Sequence, residues 1–135
     1  MLKQPYHRSE KLRALARGQP CMVADVFDRD LMPWPARHDP ATVVWAHSNL
    51  PEHGKGKSIK AHDCFGFLAC AECHAEIDQG TRLARPARQH IQREAMKLTR
   101  VYLIACGHIL GAGVREVEDD AAWLEGWRSG RIRLA

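Results

Sequence analysis

The stretch "CFGFLACAECHAEID", residues 64–78, decides the fold because its character changes half-way along. Its first part, "CFGFLA", is apolar and aromatic, as a strand requires. Its second part places Cys70 and Cys73 in a C-x-x-C spacing, with His74 directly after them and Asp78 four residues further on. Three interpretations compete for this pattern: a metal-binding knuckle, a redox-active cysteine pair, and a helix that begins with polar residues.

Composition restricts the class of protein. The chain has 135 residues, of which 45% are hydrophobic and 27% charged, so we expect one globular domain over residues 1–135. Its net charge is +4 with histidine neutral, which permits a nucleic-acid partner without requiring one. The start of the chain, "MLKQPYHRSEKLRALARG", is charged and unlike a signal peptide, and no run approaches the roughly 18 apolar residues of a membrane span. We therefore expect a cytoplasmic protein.

The cysteines favour a metal site. In a reducing compartment, clustered cysteines more often bind metal than form disulfides. A thioredoxin-like redox pair would require a βαβ pattern, which is not visible around Cys70 and Cys73. These two thiolates would supply half of a tetrahedral zinc site, and Cys21 is a good third ligand. The fourth would be His38 or Cys64, of which we favour His38; the plainer alternative is that the cysteines are only buried thiols.

The pattern of apolar residues predicts an α+β arrangement. β-branched and aromatic residues predict strands at 42–47 and 64–69, which form a hairpin across a long, exposed, polar loop at 48–63. A helix is expected from about residue 73. Apolar residues at three- and four-residue steps predict a longer helix over 86–106.

The remaining segments are less regular. We expect a short helix at 8–17, capped by Ser9, and mostly loop at 22–41, where three prolines occur among mixed charges. The C-terminal segment, 107–135, is predicted to hold one helix, capped by Asp119 or Asp120. The basic tail "RSGRIRLA" follows it.

Four polar residues would meet at the end of the hairpin. His74 and Asp78 lie one helical turn apart, where an imidazole and a carboxylate can share a divalent ion, although a surface pair explains the spacing equally well. His47 ends the first strand and Asp63 precedes the second. A hairpin beside the helix would bring all four together, and a base with a divalent cation makes a plausible hydrolytic site.

The order of these residues resembles a known family. A strand that ends in "AH", a loop, an Asp before a second strand, and "CxxCH" at a helix start are similar to the HNH, or His-Me finger, nucleases. More narrowly, "ARGQPC", "HDPATVVWAH" and "ACAECHAEID" resemble the YbcO-like family of small prophage-encoded nucleases, over about residues 10–106. The resemblance implies a small domain with a ββα-metal core, a zinc knuckle and flanking helices.

The resemblance also implies roles for the four polar residues. His47 matches the general base, and Asp63 stands where HNH proteins place the Asn that orients this base. His74 matches the histidine that binds the catalytic divalent cation, Mg²⁺ or another metal, and Asp78 would be a second ligand. Many HNH enzymes have a further metal ligand just before the base, where this chain has Ala46.

The zinc knuckle is implied in the same way. Cys21, Cys70 and Cys73 match the knuckle cysteines, and their zinc would be structural. Relatives carry a second cysteine shortly after the one that matches Cys21, whereas the expanded region "ADVFDRDLMPWPAR" has none. His38 would then be the replacement ligand.

The function implied is a metal-dependent endonuclease that hydrolyses phosphodiester bonds of DNA. Lysines and arginines near the motif would hold the phosphates, although a solvated charged face explains each one singly: Lys55, Lys57, Lys60, Arg82, Arg85 and Arg88. The alternative function is a non-catalytic zinc module that binds DNA or a protein. A redox dithiol protein is a third possibility.

Overall fold

The computed structural model describes residues 6–32, 34, 37–56 and 59–135. One predicted phosphate-binding residue, Lys57, lies outside these described residues. The elements in chain order are α1 (Glu10–Ala14), α2 (Met22–Arg29), β1 (Val44–His47), β2 (Gly66–Ala69), α3 (Ala71–Gln79), α4 (Arg85–Ala105), β3 (Ile109–Leu110), α5 (Val114–Glu118), α6 (Asp120–Arg128) and β4 (Arg133–Leu134). This mixture of helices with two small sheets agrees with the α+β prediction.

β1 and β2 form the antiparallel pair at the centre of the fold. Val44 lies opposite Ala69, and His47 lies opposite Gly66. A Cβ atom at Gly66 would collide with the indole of Trp45, so this strand position requires glycine. Every residue of β2 is buried, because α2 and α4 pack against it. The predicted hairpin is therefore confirmed, with both strands shorter than expected.

The long helix α4 packs against β2 and α2 in the core. Pro86 lies in its first turn, where a missing N–H leaves no hydrogen bond unmade. Ile91, Ala95 and Leu103 are fully buried, as their helical spacing predicts. None of the helices in the described ranges combines the length and the apolar character needed to cross a membrane.

The prediction of loop over 22–41 was wrong for its first part, which forms α2. Met22, Val23, Val26 and Phe27 are buried, and their three- and four-residue spacing gives α2 a continuous apolar face. All three prolines of this region come after the helix. The prolines favoured a loop, whereas the apolar periodicity of residues 22–27 correctly indicates a helix.

The prediction of an exposed loop over 48–63 was wrong for the two ends of the segment, which are largely buried. Ser48, Leu50 and His53 are buried, and a single turn of 3₁₀ helix runs over Pro51–His53. Asp63, at the end of this connection, is buried as well. Ser48, His53 and Asp63 make hydrogen bonds inside the protein, so the polarity of these residues did not mean exposure.

The C-terminal segment is more ordered than a helix with a basic tail. Asp119 caps α6, because its carboxylate accepts hydrogen bonds from the first N–H groups of that helix, and Ser9 caps α1 in the same way. The tail folds back, since β4 pairs antiparallel with β3. Trp123 of α6 is buried and donates its indole N–H to the carbonyl of Cys64, 2.8 Å away. The segment thus packs directly against the start of β2.

Candidate active site and metal centre

His47 and Asp63 meet at the open end of the β1–β2 pair. His47 is the last residue of β1, and its Nε2 lies 2.8 Å from Oδ1 of Asp63. Two further hydrogen bonds hold Asp63 in place: the indole N–H of Trp45 donates to its carbonyl at 2.8 Å, and the backbone N–H of Ser9 donates to Oδ2 at 2.6 Å. The carboxylate is therefore fixed from the strand and from the start of α1.

The protonation states of this pair follow from their surroundings. Burial tends to raise the pKa of Asp63, but the hydrogen bonds from His47 and Ser9 outweigh burial, and the pKa lies below its ordinary value. Arg13 adds an ion pair at 3.2 Å. Burial is also the main reason why the pKa of His47 is lowered, so its imidazole is neutral at pH 7. An ionised carboxylate only accepts, so His47 donates Nε2–H and keeps an unprotonated Nδ1.

A cavity of about 490 Å³ brings His47 together with the polar face of α3. His74 and Asp78 line the same cavity, as their one-turn spacing along α3 predicts. The side chain of Asp63 is only 2% exposed and lies behind His47. The four residues that the sequence singled out are thus at one place, three on the cavity and one supporting it.

The donor set on α3 suits a divalent cation. An imidazole and a carboxylate one turn apart provide one nitrogen and one oxygen ligand, which several divalent metals accept. Ala46, where an additional ligand was conceivable, is buried and offers no donor. Water or phosphate oxygens would supply the other positions, as is usual for Mg²⁺.

The second cluster of ligand residues consists of Cys21, His38, Cys70 and Cys73. Their donor atoms all lie within 4.8 Å of one another, and within the described ranges it is the one group of three or more such residues this close. Nδ1 of His38 lies 3.3 Å from Sγ of Cys73 and 3.8 Å from Sγ of Cys70. Tetrahedral zinc would separate a sulfur and a nitrogen ligand by about 3.6 Å. The cluster can therefore hold a metal ion such as zinc.

The backbone and the protonation of the cluster agree with a metal site. His38 has φ 55°, a left-handed conformation that costs a non-glycine residue about 1 kcal/mol and is kept mainly where the surroundings require it. The hydrogen bond between Cys73 and Cys21 lowers the pKa of Cys21 and raises that of Cys73, so negative charge in the cluster is favoured on Cys21. Cys64, the other candidate for fourth ligand, lies outside the cluster, and burial raises its pKa to about 12.

Comparison with known proteins identifies the family. The sequence profile described as "Putative nuclease YbcO" matches residues 10–108. The chain belongs to this family. It is also similar to a solved structure described as "a putative bacteriophage protein from Escherichia coli str. K-12 substr. MG1655", with 28% identity, a TM-score of 0.50, and coverage of 70% of this chain and 98% of that chain. No curated protein matches the chain.

Membership of the YbcO family suggests nuclease activity, and basic residues near the site would bind the phosphates of a nucleic acid. Lys55 and Lys60 line the cavity of His47. Arg85 and Arg88 line a neighbouring cavity of about 440 Å³, to which Lys55 also contributes. The two cavities therefore adjoin. Arg82 lies elsewhere, beside Trp34, with its guanidinium 5.8 Å from the centre of the indole ring.

Sequence reasoning missed two residues that line these cavities. Arg13 lines the cavity of His47 and forms an ion pair with Asp63. In the sequence only its position, four residues after Ser9, distinguishes it from the other basic residue of α1. Asn49 lines both cavities. Its backbone N–H donates to Oε1 of Gln92, and its Oδ1 accepts from Nε2 of Gln92, at 3.1 and 2.7 Å. The sequence signal for the contact between Asn49 and Gln92 is that Gln92, a polar residue, lies within the apolar face of α4.

Proposed function

We propose that this chain is a metal-dependent endonuclease of the HNH, or His-Me finger, type that hydrolyses phosphodiester bonds of DNA. The observation that carries the proposal is the hydrogen-bonded pair of His47 and Asp63 on one cavity with His74 and Asp78. The antiparallel strands followed by α3 have the element order of a ββα-metal core. Family membership supports a nuclease over a redox protein.

The reaction begins with proton transfer to His47. Its neutral imidazole takes a proton from water at Nδ1, and the oxygen attacks the phosphorus while the 3′ oxygen leaves. Asp63 stabilises the imidazolium that forms, because its carboxylate already accepts the Nε2–H at 2.8 Å. A divalent cation such as Mg²⁺, bound by His74 and Asp78, would supply Lewis-acid stabilisation of the charge on the phosphate and the leaving oxygen.

The adjoining cavities suggest a path for the DNA backbone. Lys55 belongs to both cavities, so a phosphate chain that passes His47 would continue towards Arg85 and Arg88. Such contacts give affinity without sequence information. Lys60, on the cavity of His47, would hold the DNA strand beside that residue. Lys57 stays a candidate from the sequence alone. Arg82 is not part of this proposed path, because its guanidinium lies over the ring of Trp34.

A structural zinc ion in the cysteine–histidine cluster would support this site. Cys21 precedes α2, and Cys70 precedes α3, the helix that carries His74 and Asp78. Zinc would therefore connect the two helix starts with the segment of His38. Four protein ligands leave no open position, which is typical of a structural rather than a catalytic zinc.

The decisive experiment is a nicking assay on supercoiled plasmid with Mg²⁺, Mn²⁺, Co²⁺ and Zn²⁺ in turn. The proposal predicts relaxed circles and then linear DNA with at least one of these ions, and none with a chelator. Zinc-loaded, folded protein that binds DNA but nicks neither DNA nor RNA with any ion would refute the enzyme. The zinc-binding module would then take its place.

A further inference from the structure

A chain of hydrogen bonds, buried at Ser48 and His53 and half-exposed at its far end, lies directly behind the end of β1. Ser48 follows His47, and its Oγ lies 2.6 Å from Nδ1 of His53. Nε2 of His53 lies 2.7 Å from Oδ2 of Asp120, the first residue of α6. The side chain of His53 is only 2% exposed, and Arg100 donates to the other oxygen of Asp120 at 2.9 Å.

The direction of each hydrogen bond in this chain is determined. The ionised carboxylate of Asp120 can only accept, so Nε2 of His53 donates to it. In the neutral ring Nδ1 of His53 is then an acceptor for the hydroxyl proton of Ser48, whose Oγ also accepts the backbone N–H of Leu50 at 3.1 Å. The hydrogen bond from His53 is the main reason why the pKa of Asp120 is lowered to about 2, which keeps the acceptor ionised. Both ring nitrogens of a buried histidine are therefore satisfied.

This chain joins the C-terminal segment to the proposed active site. Asp120 lies beyond residues 10–108, the part that the family profile matches. Ser48 is bonded to β2 as well, since its backbone N–H donates to the carbonyl of Phe65 at 2.8 Å, one step beyond the β1–β2 pairing. The guanidinium of Arg100 lies over the rings of Phe65 and Trp123. α6 thus supports the ends of both strands at the site.

We infer that His53 and Asp120 are positioning residues, which hold Ser48 and thereby keep the imidazole of His47 against Asp63. The physical reason is that β1 ends at His47, where a strand would otherwise fray. Hydrogen bonds to the buried side chains of Ser48 and His53, with both ring nitrogens of His53 satisfied, fix this end more rigidly than water would. The inference rests on the proposed function, because it gives this rigidity a role in proton transfer.

A set of conservative variants tests the inference. Asp120→Asn removes the charge that orients His53, and the side chain of Asp120 is 49% exposed, so the change creates no cavity in the core. His53→Gln retains an acceptor for Ser48 and a donor for Asp120, whereas His53→Ala retains neither. Glu125→Gln is the matched control, since Glu125 is an exposed acid on the same helix.

Two measurements are made on each variant at a temperature where circular dichroism shows it folded. The first is plasmid nicking turnover together with DNA affinity. The second is an NMR titration of the His47 imidazole without DNA, which does not depend on activity. We expect Asp120→Asn and His53→Ala to lower turnover by about 10- to 100-fold with DNA affinity unchanged. His53→Gln and Glu125→Gln should resemble the wild type.

The titration has a defined sign. The hydrogen bond and the charge of Asp63 act to raise the pKa of His47. If the contact loosens while the ring of His47 stays buried, the pKa of His47 falls below the wild-type value in Asp120→Asn. Unchanged His47 signals in folded Asp120→Asn would overturn the inference, whatever the nicking rates. If the wild type nicks nothing and the titration still shifts, the nuclease proposal fails while the coupling of Asp120 to His47 stands. If His53→Ala does not fold, Asp120→Asn decides the question.

Discussion

Nε2 of His47 and Oδ1 of Asp63 lie 2.8 Å apart, at the two ends of the connection between β1 and β2. Antiparallel pairing makes these ends neighbours, so the length of the connection does not separate them. The carboxylate is buried, ionised and held by the N–H of Ser9, and Trp45 binds the backbone carbonyl of the same residue, so His47 has a fixed orientation and a neutral ring. The contact between His47 and Asp63 therefore leads to effects of mutation and of pH that can be measured.

His47→Ala should abolish nicking while the protein keeps its fold. Removal of a general base costs about 10²- to 10⁴-fold in rate. The side chain of His47 is only partly buried, so its loss should leave zinc content and DNA affinity unchanged. His90→Ala is the control, because His90 is exposed and its hydrogen bond with Asp30 is on the surface. Equal nicking by both variants would leave the nuclease in place and remove His47 as its base.

The pH dependence of nicking should reflect His47. Its pKa lies below the ordinary value of 6.5, mainly through burial, with Lys60 and Arg8 acting in the same direction and Asp63 in the opposite one. A base works unprotonated, so the acid limb of kcat/KM should lie below pH 6.5 and fall about tenfold per pH unit. Asp63→Asn should move this limb to still lower pH, because the group that raises the pKa of His47 is gone.

A stability measurement must accompany this pH profile. The unfolded chain protonates His47 near pH 6.5, whereas the folded chain resists protonation, so stability falls as the pH drops from 6.5 through the folded pKa. Burial lowers the pKa of His7 and His62 as well, which adds to this loss. Circular dichroism should show folded protein across the acid limb. An acid limb that coincides with unfolding would say nothing about His47.

The sequence predicted the parts of the fold that depend on local pattern. The strands, α4 and the cap at Ser9 follow from residue type and spacing within a few positions. α2 was missed because prolines that come after it dominated the interpretation. Residues 48–63 were misjudged because their polar side chains find partners far along the chain, as His53 does in Asp120. Such partners have no local signal.

The candidate site divides in the same way. One-turn spacing on α3 predicts that His74 and Asp78 share a face, and the cavity confirms that they lie together. The sequence favoured His38 over Cys64 as the fourth ligand without excluding Cys64, and the structure places His38 in the cluster and Cys64 outside it. Family resemblance placed Asp63 next to His47, but the other groups at its carboxylate, from Ser9, Arg8 and Arg13, come from a distant part of the chain and have no local signal.

Cys73→Ser should lower the melting temperature and remove zinc. A structural zinc site contributes its binding free energy to folding, so its loss should lower the melting temperature by on the order of 10 °C. His38→Ala should act in the same direction if His38 is the fourth ligand. Cys106→Ser is the control, because Cys106 is exposed and outside the cluster. Unchanged zinc content and melting in Cys73→Ser would refute a zinc site here.

Arg88→Ala should weaken DNA binding through loss of a phosphate contact. Because each neutralised phosphate releases about 0.9 counterion, the slope of log Kd against log salt should decrease by about one. Arg82→Ala is the matched control, since Arg82 stacks on Trp34 away from both cavities. Lys55→Ala should show the larger loss, because Lys55 borders both cavities. Equal effects from Arg82 and Arg88 would exclude the proposed path.

His74→Ala and Asp78→Ala should separate metal binding from base catalysis. Loss of the imidazole of His74 should reduce nicking as much as His47→Ala does, but excess Mn²⁺ should restore part of it, because a weakened site refills at a higher ion concentration. No ion concentration should restore His47→Ala. Asp78→Ala should be milder, since water can replace one carboxylate oxygen on a hydrated cation. The measurement is nicking rate against Mn²⁺ concentration for all three variants. Recovery of His47→Ala together with failure of His74→Ala would reverse the two assignments.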